Sequence, residues 1–210
     1  MESYLKLLEE NKQWAARQKE ADPTFFEKMA AGQNPEFLWI GCADSRAPAD
    51  KLTNTDPGSI FVHRNVANLV VSTDINMLSV LQYAVQVLKV KHVMVVGHYG
   101  CGGVQAAMTH NELGIIDQWI RNIKDVYASH VDELEGIAEE KKRFDRLVEL
   151  NVMHQVKNLA RTSIIQNAWK EGDYPHLHGW VLKLDTGTIE RVCDVPAGDV
   201  SQIEPIYRFE

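Results

Sequence analysis

The chain lacks the features that mark a membrane, secreted or nucleic-acid-bound protein. No apolar run approaches the ~20 residues that span a bilayer. The opening stretch MESYLKLLEENKQWAARQKE is charged throughout and has no apolar core of a secretory signal. Positive charge is in deficit: 22 Lys and Arg stand against 29 Asp and Glu, a net charge of −7, which disfavours a phosphate backbone as partner. Cysteine is scarce, with three in 210 residues. An odd number makes a poor disulfide framework, and the expected location is the reducing cytoplasm.

What remains is a soluble composition, 45% hydrophobic and 24% charged, long enough for one domain with a real core. Residues 3–19 read as an amphipathic helix carrying Leu5, Leu7 and Leu8, and DPTFFEKMA as a second helix with Asp22 as cap and Pro23 at its first position. FLWIGC, SIFVHR and KHVMVVG are short, nearly continuous apolar runs, the pattern of strands buried on both faces. A helix is expected from Asp74 through DINMLSVLQYAVQVLKV, another over IIDQWIRNIKDVYA, and a long one over about 140–169. HLHGWVLKL and GTIERVCDV pair through the turn DTG. Alternating strands and helices predict an α/β fold, a mostly parallel central sheet flanked by helices. One domain over 1–210 is expected, with residues 1–31 as an N-terminal helical arm able to pack on a partner subunit.

Two of the three cysteines stand in matching places. Cys42 and Asp44, in GCADSR, follow one predicted strand, and His98 and Cys101, in GHYGCGG, follow another. Sites in parallel α/β sheets gather at the carboxyl ends of strands. If these strands are neighbours, two thiolates and one imidazole form a zinc set with a fourth position that Asp44 or water can take. Read blandly, GHYGCGG is a sharp turn with an incidental His and Cys; its pairing with CADSR favours metal. Asp44 and Arg46 are close enough for a bidentate bond. That bond would draw Asp44 off the metal and make the pair a switch. Cys193, in RVCDV, reads as a small buried residue. His176 and His178 share one strand face and are a remote candidate for a second metal; His63 and His110 lie near the motifs and are candidates for proton transfer.

The segments CADSR, HRNVANLV, QYAVQVLKVKHVMVVGHYGCGG and HGW occur in the order found in β-class carbonic anhydrases, and the chain resembles that family, its bacterial branch in particular, over nearly its whole length. The resemblance implies reversible hydration of carbon dioxide to bicarbonate and a proton. It implies one zinc per subunit on Cys42, His98 and Cys101, with Asp44 exchangeable and Arg46 its partner, so that Asp44 and Arg46 gate a zinc-held hydroxide. It implies a homodimer or homotetramer, and a substrate pocket of Gln33, Phe61, Val66 and Tyr83 with the backbone of Gly102 and Gly103. Plain core packing is the alternative for Phe61, Val66 and Tyr83. A subgroup with an Asp-ligated closed zinc site carries a noncatalytic bicarbonate pocket marked by Trp, Arg and Tyr. Trp39 and Arg64 match it, while Leu182 replaces the Tyr and Ala47 a larger aliphatic residue. The rival readings are a same-fold hydrolase of carbon disulfide or carbonyl sulfide, a noncatalytic zinc-containing bicarbonate sensor, and a thiol redox protein.

Overall fold

The computed structural model describes residues 2–210, which fall into two compact units, Met1–Asn34 and Pro35–Glu210. The first holds α1 (Ser3–Ala21) and α2 (Phe25–Ala30). Trp14, Phe25 and Phe26 meet edge to face at 5.1–6.2 Å between ring centres and pin the two helices together. Asp22 does not cap α2 as the sequence predicts. Its Oδ1 accepts from the Thr24 N–H and hydroxyl at 2.9 and 2.8 Å, closing a turn one step earlier, and α2 begins after Thr24 and not at Pro23. No residue of α1 is buried; Leu7 and Leu8 are 70% and 61% exposed.

The second unit is built on one five-stranded sheet: β1 (Phe37–Cys42), β2 (Ile60–Asn65), β3 (His92–His98), β4 (His176–Leu182) and β5 (Ile189–Val195). Their order is β2-β1-β3-β4-β5; the first four are parallel and β5 is antiparallel, as the short DTG connection requires. The period of two divides the side chains between the faces. Leu38, Ile40, Val93 and Val95 join the main core, while Trp39, Met94 and Val96 form a smaller cluster with Ala49 on the opposite face. The helices of this unit are α3 (Ala49–Thr53), α4 (Ile75–Gln82), α5 (Gly102–Ala107), α6 (Ile116–Ser129), α7 (Val131–Glu135), α8 (Glu140–Ala160) and α9 (Ser163–Glu171).

Two expected helices are interrupted. Asp74 caps α4, accepting from the Asn76 and Met77 N–H groups, but the last turn, Tyr83–Val87, widens to a π turn and ends near Lys89, whose φ is +57°. The helix expected over 140–169 is two. Thr162 is extended, with ψ 144°, and its hydroxyl accepts from the Ile165 N–H, so α9 starts afresh with its own cap. The long α8 packs on β3 and β4 and buries nine residues. Gly97 makes that packing possible: a Cβ there would lie 2.7 Å from Val152 Cγ2.

Candidate metal centre

The β1–β3 register, Phe37↔His92 through Gly41↔Val96, brings the carboxyl ends of the two strands side by side. Cys42 closes β1, His98 closes β3, and Cys101 stands at the entry to α5 after a turn at Gly100, whose φ of +71° suits glycine. All three are buried, at 6%, 1% and 1% exposure, and their donor atoms lie within 4.8 Å of one another. Among the described residues this is the one such group of three. The Cys42 and Cys101 sulfurs are 3.9 Å apart. A tetrahedral ion with Zn–S bonds of about 2.3 Å sets two sulfurs about 3.8 Å apart.

The imidazole is oriented for the same purpose. His98 Nδ1–H donates to the Tyr99 carbonyl at 3.0 Å, which leaves the lone pair on Nε2. Nε2 is buried without a hydrogen-bond partner, and Asp44 Oδ2 is 3.7 Å from it. A hydrogen bond from Cys101 holds the Cys42 thiol well below the ordinary thiol range, against the opposing effect of burial, and the neighbouring His98 side chain adds to the lowering. The paired thiols share one proton, and Cys101 is correspondingly pushed up. Sulfur and imidazole lone pairs therefore converge on a space that only a cation satisfies, and the donor set suits zinc.

Asp44 is engaged elsewhere. Arg46 donates from Nε to Oδ1 at 2.9 Å and from Nη2 to Oδ2 at 2.7 Å, and its backbone N–H adds a bond to Oδ1 at 2.9 Å. The guanidinium holds the Asp44 carboxyl well below the usual carboxylate range. Arg64 acts on the same loop: its Nε donates to the Cys42 carbonyl at 2.9 Å and its Nη2 to the Asp44 carbonyl. Sequence reasoning noticed Arg64 for another reason and missed this clamp; nothing in the local sequence marks an arginine that serves backbone carbonyls 20 and 22 residues away.

The remaining expected residues divide. Val66 touches the metal loop, because a Cβ on Gly103 would lie 2.9 Å from Val66 Cγ1. Phe61 and Tyr83 pair at 5.8 Å between ring centres, with Tyr83 45% exposed. Gly102 and Gly103 open α5. Gln33 lies in the N-terminal unit. Trp39 is buried, its indole lying over Gly41 and edge-on to Trp180, and Leu182 and Ala47 are buried too. Cys193 is half-buried and burial pushes its thiol up to about 11, as an inert packing residue requires. His63 is buried and burial lowers its pKa; His110 lines a surface cavity with Lys124 and Glu135.

His176 and His178 do meet a third histidine, His92, but all are tied. His178 Nδ1 donates to Asp194 at 2.6 Å, His92 Nδ1 donates to His178 Nε2 at 3.0 Å, and the Ala197 N–H donates to His176 Nδ1.

The sequence pattern of the carbonic anhydrase family matches residues 37–189, the segment from β1 to β5 that holds this site. The chain belongs to the β-class carbonic anhydrases. It is 48% identical over 205 residues to a carbonic anhydrase of Emericella nidulans, covering 97% of this chain and 90% of that one. It is 32% identical to one of Pseudomonas aeruginosa, covering 82% and 81% of the two chains. A crystal structure of a tetrameric β-carbonic anhydrase of Sordaria macrospora superposes with a TM-score of 0.88 at 39% identity, covering 93% of this chain and 100% of that chain. A Coccomyxa β-carbonic anhydrase in complex with acetazolamide gives 0.89 at 38% identity, covering 94% and 90%.

Proposed function

We propose that this carbonic anhydrase converts carbon dioxide and water to bicarbonate and a proton at a zinc centre of Cys42, His98 and Cys101. The buried, partnerless Nε2 of His98, facing two thiols 3.9 Å apart, carries the reading. A bound zinc ion supplies Lewis acidity that makes a nucleophile of water near neutral pH. The protein's residues do the rest. Tyr99 fixes the His98 tautomer. Arg46 holds Asp44 back and keeps the fourth position open, and Asp44 is the exchangeable ligand that closes it. Its Oδ2 lies 2.7 Å from Arg46 and 3.7 Å from His98 Nε2, so a small swing of a half-exposed arginine suffices. Phe61, Val66 and Tyr83 give an apolar wall for carbon dioxide and the amides of Gly102 and Gly103 its polar contacts. A bicarbonate pocket at Trp39 and Arg64 would compete with the two backbone carbonyls that Arg64 already serves and would lack a hydroxyl at Leu182.

Two thiolates neutralise a divalent ion, so the centre acidifies water less than a neutral-ligand set. Stopped-flow hydration by protein with one zinc per chain is expected to rise from pH 7 to 9; no hydration with zinc fully bound overturns the activity. We further read the molecule as a cytoplasmic homo-oligomer, dimer or tetramer, with the apolar side of α1 on a partner subunit. The tetrameric Sordaria relative and the exposure of Leu7 and Leu8 support this, and light scattering on intact and 1–31-truncated protein tests it. Among the described residues no helix is long and apolar enough to cross a membrane. Bacterial descent has the Pseudomonas relative in its favour, but the 48% relative is fungal, and we assign no branch.

A further inference from the structure

The segment that follows β2 has an unusual backbone. Ala67 and Asn68 have φ of +63° and +51°, two consecutive left-handed residues that are not glycine. Such a pair persists only where its surroundings over-determine it. The surroundings here are the Asn65 side chain, which bonds the Leu69 N–H and carbonyl, the Trp119 indole N–H on the Val66 carbonyl, and a row of amides from one face of α8. Asn151 Nδ2 donates to the Ala67 carbonyl at 3.2 Å. Gln155 Nε2 donates to Asn151 Oδ1 at 2.9 Å, and its Oε1 accepts from the Val70 N–H at 2.9 Å. Asn158 completes the row, donating to the Val70 carbonyl and to Gln155 Oε1. Asn151 and Gln155 are 1% and 0% exposed.

The held segment touches the residues beside every metal ligand. A Cβ on Gly103, two residues after Cys101, would lie 2.9 Å from Val66 and 3.1 Å from the Ala67 Cβ. A Cβ on Gly97, next to His98, would lie 3.4 Å from Asn68 Oδ1. The Ala43 N–H donates to the Asn65 carbonyl at 2.8 Å, joining the segment to the residue after Cys42. Ala67, Cys42 and Cys101 belong to one buried cluster, and the Ala67 N–H favours the Cys42 thiolate.

We infer that Asn151, braced by Gln155, is a positioning residue of the metal centre: it holds the left-handed Ala67 segment against which the Cys42 and Cys101 loops are set. A helix that contributes no ligand thereby fixes the spacing of the two sulfurs. The inference takes from the proposed function only that Cys42, His98 and Cys101 bind zinc.

The test is zinc affinity, measured by competition with a chromogenic chelator, on Asn151→Ala, on Asn151→Leu, which keeps the volume filled, and on each combined with Ala67→Gly. Both single variants are expected to bind zinc roughly tenfold more weakly, the range found when outer-shell partners are lost. Glycine adopts φ of +63° without strain, so Ala67→Gly is expected to restore most of that affinity in the double variants. Gln166→Ala removes another buried amide, one that serves the carbonyls of Ala160 and Tyr207 and not the Ala67 segment; it should lower stability and leave zinc affinity unchanged. Wild-type affinity in both Asn151 variants, or a loss that Ala67→Gly does not repair, overturns the inference. If Asn151→Ala does not fold, Asn151→Leu decides on the same criteria. If neither single variant folds, the double variants decide: wild-type-like zinc affinity supports the inference, and failure to fold or bind zinc overturns it. Absence of carbon dioxide hydration in zinc-loaded wild type would overturn the proposed activity and leave this result standing.

Discussion

Histidine stands at both ends of the sheet, one at the carboxyl end and three at the amino end, and the two ends differ in how its nitrogens are used. At the carboxyl end His98 is alone, buried, and has one ring nitrogen with no partner. At the amino end His92 stacks on His176 at 5.6 Å between ring centres and lies tilted against His178 at 5.2 Å, and Asp194, His178 and His92 form a hydrogen-bonded chain. Number of histidines points to the amino end and unsatisfied lone pairs point to the carboxyl end. The second is the better guide, because the His178 lone pair is spent on His92 and that of His176 Nδ1 on the Ala197 N–H, whereas His98 Nε2 has no partner and faces two sulfurs 3.9 Å apart. The amino-end trio is a structural network.

The largest expected effect is at the carboxyl end. His98→Gln should weaken zinc binding more than about a hundredfold, beyond the roughly 10–100-fold typical of losing an outer-shell partner; metal analysis after dialysis against chelator checks it. Arg64→Met should fall inside that outer-shell range, because the carbonyls of Cys42 and Asp44 lose their donor while all ligands remain. A chelator titration separates this from His98→Gln. At the amino end, His178→Gln should leave one zinc per chain and unaltered hydration, and lower stability by about 1 kcal/mol for the lost bonds to Asp194 and His92. A fall in zinc stoichiometry would break the comparison.

The smallest effect is a pH dependence. Burial, then His178 and His176, hold the His92 pKa below its ordinary 6.5. The unfolded chain therefore binds a proton there first. The stability that neutral His92 contributes is fully present above pH 6.5 and is lost as pH falls below it. His92→Phe, which retains the stack on Phe37, should flatten this part of the curve in urea denaturation between pH 7 and 5.

The sheet and the meeting of Cys42, His98 and Cys101 were legible in the sequence for one reason. Strands buried on both faces are written as unbroken apolar runs, and a residue just past such a run stands at a strand end. Cys42 and the His98–Cys101 pair could be set side by side from the sequence alone. Features that depend on a partner distant in the chain were not legible. Arg64, Asn151 and Gln155 act on backbone 20–85 residues away, and their local sequence gives an arginine in a strand and two amides among apolar helix residues. The second of these was a usable signal, since a polar residue on a buried helix stripe must have a partner. Competing caps account for the missed helix boundaries: Asp22 bonds Thr24 and leaves α2 to start later, and the Thr162 hydroxyl divides one long apolar pattern into α8 and α9.

Cys42 and Cys101 are 59 residues apart, on segments brought together by the parallel pairing of β1 with β3. Parallel pairing waits for its crossover to form and is slow compared with local contacts. An ion taken up there would not seed this fold as it does in a zinc finger, where ligands a few residues apart gather around the metal first. The chain would find its topology unaided, and a metal would arrive as a late guest.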